Sequence, residues 1–136
     1  MKRLYFLCAT LSTFSLGAMA QVALPLSVDK DVFNADTIFV EKTRVGWDDT
    51  ESAVKTGNFQ DGGVAVFTFK DTPGMLHLDY SRTRYGKSNV MLIQESKDGK
   101  EFTDLYNGAA STSWTNLSAN LSKDTRYIKL YYDAKY

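Results

Sequence analysis

The strongest constraint on this chain is a hydrophobic pattern of period two that begins near Asp36 and runs almost to its last residue. Successive side chains of a β-strand point to opposite faces, so alternating apolar and polar residues mark a half-buried strand. In Val64-Ala65-Val66-Phe67-Thr68-Phe69-Lys70, residues Ala65, Phe67 and Phe69 share a face, with Thr68 and Lys70 on the other. Met75 to Ser81 repeats the pattern, with Leu76, Leu78 and Tyr80 one way and His77 and Asp79 the other. Between Arg126 and Tyr132, the two sets are Ile128, Leu130, Tyr132 and Tyr127, Lys129, Tyr131.

Other segments fill in the same picture. Thr37 to Val45 is rich in β-branched residues and stops at Gly46, and Ser52 to Gly57 is a shorter candidate. Asn89 to Ser96 is apolar at both parities in its first half, which predicts a central strand covered on both sides. Glu101 to Tyr106 and Ser111 to Leu117 are further strand candidates. Asp71-Thr72-Pro73-Gly74 predicts a turn, because Pro73 presets φ and Gly74 accepts a positive one. Lys97-Asp98-Gly99-Lys100 places Asp-Gly between two strand patterns, a strong hairpin signal. Roughly seven or eight short strands at about 8–12-residue spacing, with no helical window, predict an all-β, antiparallel sandwich or barrel.

The beginning of the chain obeys different rules. Met1-Lys2-Arg3 precedes an uncharged stretch from Leu4 to Leu16, which ends in Gly17-Ala18-Met19-Ala20-Gln21. A positive start, a short apolar run and small residues two apart are the parts of a secretory signal, with cleavage expected after Ala20. The run is too short to cross a bilayer, which takes about 20 residues. Residues 1–20 are thus expected to be a signal peptide and 21–136 a single secreted or cell-surface domain. Cys8 is the only cysteine and lies inside the signal. The exported domain must then be held by its core and not by disulfides.

Charge excludes some partners. Without Lys2 and Arg3, 14 basic residues face 16 acidic ones, a net charge of about −2. No basic stripe suits nucleic acid, and no later apolar stretch is long enough to span a membrane.

Three segments together resemble a known family. They are Gln94-Glu95-Ser96-Lys97-Asp98-Gly99-Lys100-Glu101-Phe102-Thr103-Asp104-Leu105, then Ser113-Trp114-Thr115, then Leu121-Ser122-Lys123-Asp124-Thr125-Arg126-Tyr127-Ile128-Lys129-Leu130-Tyr131-Tyr132. This combination resembles the jelly-roll, galactose-binding-like modules of secreted bacterial proteins. Gly46-Trp47 and Ala53-Val54-Lys55 with Gly57 suit the opening strands of that family. The resemblance implies a carbohydrate-binding module or a spacer in a surface protein. In the family the Tyr-Tyr strand leads to a turn and a final strand, whereas here Asp133-Ala134-Lys135-Tyr136 follows. Either the sequence is cut short or one strand is lacking, and the latter predicts an open edge at Arg126–Tyr132 that a partner strand could join.

Candidate chemistry is sparse. His77 is the only histidine, Asp79 shares its face, and no serine sits in a nucleophile-elbow pattern, so no enzyme is indicated. Asp48, Asp49 and Glu51 have no facing carboxylate to act as a glycosidase pair. Zinc lacks ligands, but Asp29, Asp31, Asn34 and Asp36 offer closely spaced oxygens for a structural calcium ahead of the first strand. Sugar binding combines an aromatic face with amide, carboxylate or guanidinium groups. Two places meet that description: the loop carrying Arg82, Arg84, Tyr85 and Asn89, and the strand face of Tyr127, Lys129 and Tyr131. Trp47 and Trp114 read as core residues or, alternatively, as flat platforms for a sugar, the core reading being the commoner one for a tryptophan in a sandwich. Asn116-Leu117-Ser118 and Asn120-Leu121-Ser122 match the glycosylation sequon, which carries no weight in a bacterial host. The expected partner is an extracellular glycan, or alternatively a surface protein bound through an open sheet edge.

Overall fold

The computed structural model describes residues 2–7, 23–48, 56–81 and 88–135. These form nine strands and one short helix: β1 (Lys2–Leu7), β2 (Leu26–Val28), α1 (Lys30–Ala35), β3 (Phe39–Asp48), β4 (Thr56–Thr68), β5 (Met75–Tyr80), β6 (Ser88–Ser96), β7 (Thr103–Ala109), β8 (Thr115–Asn120) and β9 (Tyr127–Lys135). The fold is all-β, as the periodicity predicts. Strand order along the sheet is β7-β6-β9-β4-β1-β5-β8, with β3 also on β4 and β2 also on β1. Every recorded pairing is antiparallel.

The alternation decides what is buried. Ala65, Phe67 and Phe69 of the β4 segment, Leu76, Leu78 and Tyr80 of β5, Met91 and Ile93 of β6, and Ile128 and Leu130 of β9 are all sealed from solvent. They belong to one cluster that joins the two ends of the strand order. β6 is central, as expected, but its second face is only partly covered: Leu92 and Gln94 are half-buried.

Several expectations need correction. Residues 30–35 form a helix where none was predicted. Asp29 caps it, accepting from Val32 N at 2.9 Å, and Asp36 closes it in the left-handed region at φ 61°. Six residues are too few for helical periodicity to emerge. The predicted open edge at Arg126–Tyr132 does not exist, because β9 pairs with β4 on one side and β6 on the other. The Asp-Gly hairpin is real, yet its loop spans residues 97–102 instead of two residues. Trp114 is 44% exposed and not a core residue. Trp47 is half-buried against Phe33, with ring centroids 5.6 Å apart. Most of the 52–57 candidate lies outside the described residues; Thr56 and Gly57 open β4.

β4 also carries an excursion. Thr43 pairs with Val64 and Val45 with Phe59, so β4 spends residues 60–63 opposite Arg44 alone. Arg44 takes a φ of 56° there, and a Cβ on Gly63 would lie 2.8 Å from the Gln60 carbonyl oxygen. The Gly62-Gly63 pair makes this wide bulge possible.

Candidate functional site

The expected strand face is real. Tyr127, Lys129 and Tyr131 point away from the core, opposite the buried Ile128, Leu130 and Tyr132. Across the sheet Tyr131 meets Leu92 on β6 and Val64 on β4, while Lys129 meets Gln94 and Val66. Directly opposite residues of antiparallel strands share a face. One row further out, Asn107 lies opposite Leu92 and Asp104 opposite Gln94 on β7, and Thr43 and Glu41 lie opposite Val64 and Val66 on β3. Gln94 Nε2 donates to Asp104 Oδ1 at 2.7 Å. Tyr131 thus lies directly between Leu92 and Val64, with Lys129 and Gln94 two positions along the same face and Asn107 and Asp104 one strand further out.

Tyr127 and Lys129 are less free than the sequence implied. A Cβ on Gly99 would come within 3.0 Å of the Tyr127 ring, so the 97–102 loop packs directly on that tyrosine. Lys129 Nζ sits 5.3 Å from the centre of the Phe102 ring, a cation–π contact with the same loop. The other expected glycan site, Arg82, Arg84, Tyr85 and Asn89, is not assembled here: residues 82, 84 and 85 lie outside the described residues, and Asn89 is placed only as a backbone position on β6.

The motif that carried the family resemblance has a structural role. Glu95 accepts from Ser122 N at 3.0 Å, Ser122 Oγ at 3.1 Å and Thr125 Oγ1 at 2.6 Å. Asp98 accepts from Lys100 N at 2.8 Å, Glu101 N at 3.1 Å and Ser96 Oγ at 3.0 Å. The amide of Lys100 first, and then that of Glu101 and the Ser96 hydroxyl, favour the charged form of Asp98 and hold its pKa down to about 2. These residues line an open cleft of about 290 Å³ with Lys97, Glu101 and Asp124. Its two best-placed carboxylates are already spent on holding the 97–102 and 121–126 loops.

The calcium candidates do not converge. Asp29 and Asp36 cap opposite ends of α1, about 10 Å apart along a helix at 1.5 Å per residue. Asp36 is ion-paired with Lys42, whose ammonium also donates to the Phe33 carbonyl at 3.1 Å and sits 4.6 Å from the Phe33 ring centre. A built-in cation therefore occupies the position next to Asp36. Asp31 and Asn34 are exposed, and among the described residues no group of three or more His, Cys, Asp or Glu is arranged to hold a metal.

The second sheet face carries a pairing that the sequence did not show. His77 Nδ1 lies 2.8 Å from Ser118 Oγ, and Asn116 Nδ2 donates to Asp79 Oδ1 at 2.6 Å. A histidine and a serine in contact are two parts of an acyl-transfer centre, but Asp79 is turned to Asn116 and orients nothing on His77. The contact is a rung of the β5–β8 ladder on a solvent-facing surface.

No protein-family model, no curated protein and no solved structure matches this chain.

Proposed function

We propose that this is an exported, non-catalytic binding module: a β-sandwich of jelly-roll, galactose-binding-like character whose ligand is an extracellular carbohydrate. The observation that carries the reading is the outer face of β6, β7 and β9. Tyr131 lies there beside Leu92 and Val64, an apolar and aromatic surface for sugar C–H groups, and the same face carries Gln94, Lys129, Asp104 and Asn107 as hydrogen-bonding partners for hydroxyls. The single core joining both ends of the strand order supports a two-layered sandwich. The leader-like first twenty residues support export.

A glycan array with the leader-free protein tests this. Binding is expected that falls at least about tenfold in Tyr131→Ala and also in Gln94→Ala, the loss of about one hydrogen bond or stacking contact. Absence of binding to any glycan, or binding indifferent to Tyr131, overturns the reading. Binding abolished only by Arg84→Ala or Tyr85→Ala moves the site to the 82–89 loop.

A further inference from the structure

β1 lies wholly within the twenty residues proposed to leave on export, yet it is built into the middle of the strand order. Its backbone pairs along its full length with β5, from Lys2↔Tyr80 to Leu7↔Met75, and at Leu4, Tyr5 and Phe6 with β2. Both neighbours run antiparallel to it. Take it away, and β5 keeps only β8, while β2 keeps no strand among the described residues.

We propose that the place of β1 is an acceptor slot which, in the exported chain, takes an extended segment of another polypeptide, antiparallel to both β2 and β5. The proposal rests on the export reading through cleavage after Ala20. Three observations specify the occupant. The slot has backbone edges on both flanks, so it satisfies an extended chain through main-chain hydrogen bonds on two sides. It is six residues long, the length that β5 offers. And its register fixes the chemistry: the position of Leu4 lies between Val28 and Leu78, that of Phe6 between Leu26 and Leu76, and all four neighbours are at most 8% exposed. Opposed positions share a face, so a donor strand needs apolar side chains at those two alternate positions and tolerates polar ones between them. The described strands from β3 to β9 are already paired with one another except where β4 and β5 touch β1, so none of them is left over to fill it. Among the described residues the slot is thus matched in length and register to an alternating apolar strand supplied from outside them, which the proposal assigns to a partner.

The test starts from the full chain, with its leader retained and a specific protease site placed between Ala20 and Gln21. Amide exchange is measured before cleavage, after cleavage and removal of the leader, and after addition of a synthetic peptide of residues 2–7. After removal, the amides of Leu26–Val28 and Met75–Tyr80 are expected to exchange at least about tenfold faster while those of β6 and β9 change little. The peptide is expected to restore protection, and the same peptide carrying Leu4→Asp and Phe6→Asp is not. Unchanged exchange after removal, or equal action of the two peptides, overturns the proposal. If the released chain unfolds altogether, a cooperative melt regained with the first peptide alone supports it, and no recovery overturns it. N-terminal sequencing of the exported protein separates the two readings: a chain beginning at Met1 defeats leader removal while the exchange comparison still reports on the slot.

Discussion

The two ends of the strand order are held together in different ways. At one end, β7, β6, β9 and β4 pair in succession, with one register shift between β6 and β7 at Ile93/Gln94, and β9 sits between β6 along its whole length and β4 over Tyr127–Tyr131. The loops that leave this region are tied back by side chains, Glu95 to Ser122 and Thr125, and Asp98 to the amides of its own turn. At the other end, β5 and β8 form a ladder of six residue pairs, and their link to the rest of the sheet runs through β1. Yet both ends bury residues in one core. Backbone continuity and apolar burial are thus separable here: one region has both, whereas the other has burial and borrows its continuity from residues proposed to be lost on export.

The largest expected effect breaks that comparison at its core. Leu130 on β9 and Leu78 on β5 are both fully buried. In the chain with its leader, Leu130→Ala and Leu78→Ala should each cost about 2–5 kcal/mol in urea denaturation. In the leader-free chain the cost at Leu130 should persist, whereas that at Leu78 should shrink, because the native site is already partly open. Equal costs in both chains would show that β5 does not depend on β1. The next effect sharpens the comparison at the loops. Glu95→Ala leaves the buried Thr125 hydroxyl and the Ser122 amide without their acceptor and should destabilise by about 1–3 kcal/mol. Glu95→Gln keeps one acceptor oxygen and should lose less. Because these bonds lie in the β6–β9 region, the loss should be the same with or without the leader.

Gly99→Ala should come next, at about 1 kcal/mol or somewhat more in the same assay. The residue has a φ of 77°, and the new Cβ meets the Tyr127 ring at 3.0 Å. If the loop simply lifts, the glycan binding proposed for Tyr131 should be retained while stability falls, which would separate loop support from ligand contact.

What the sequence revealed follows the range over which each signal acts. Face assignments on β4, β5 and β9 were legible because alternation is local: each residue's face is set by its immediate neighbours. The polar face of Tyr127, Lys129 and Tyr131 was legible for the same reason, but not that Gly99 and Phe102 cover two of its members, since a hairpin loop folds over a strand distant in sequence. His77 and Ser118 are 41 residues apart, and Glu95 and Thr125 are 30 apart; nothing in either local pattern names the other. The motif that prompted a family resemblance was visible as a motif, while its work as a clasp needed the pairing of β6 with β9 to appear. Asp29 and Asp36 looked like metal ligands because their carboxylates are close in sequence. The intervening helix separates them in space, and Lys42, from the following strand, takes Asp36.

The smallest expected effect concerns acid. The Asp98 carboxyl has its pKa held down to about 2 from the ordinary 3.8, chiefly by the amide of Lys100 and then by that of Glu101. A lowered folded-state pKa means that the unfolded chain takes up the proton first as pH falls. The contribution of Asp98 is therefore complete above the unfolded value of 3.8 and is lost progressively as pH falls from there towards about 2. Because the side chain is exposed, solvent screens it and the effect on melting temperature should be slight. Asp98→Asn cannot titrate, so its melting temperature should fall less steeply than that of the unaltered chain between pH 4 and pH 2. The same difference is expected with the leader retained or removed, since the clasp belongs to the region that supplies its own continuity. A difference that appears only when the leader is present would tie the hairpin to β1 and erase the contrast between the two regions.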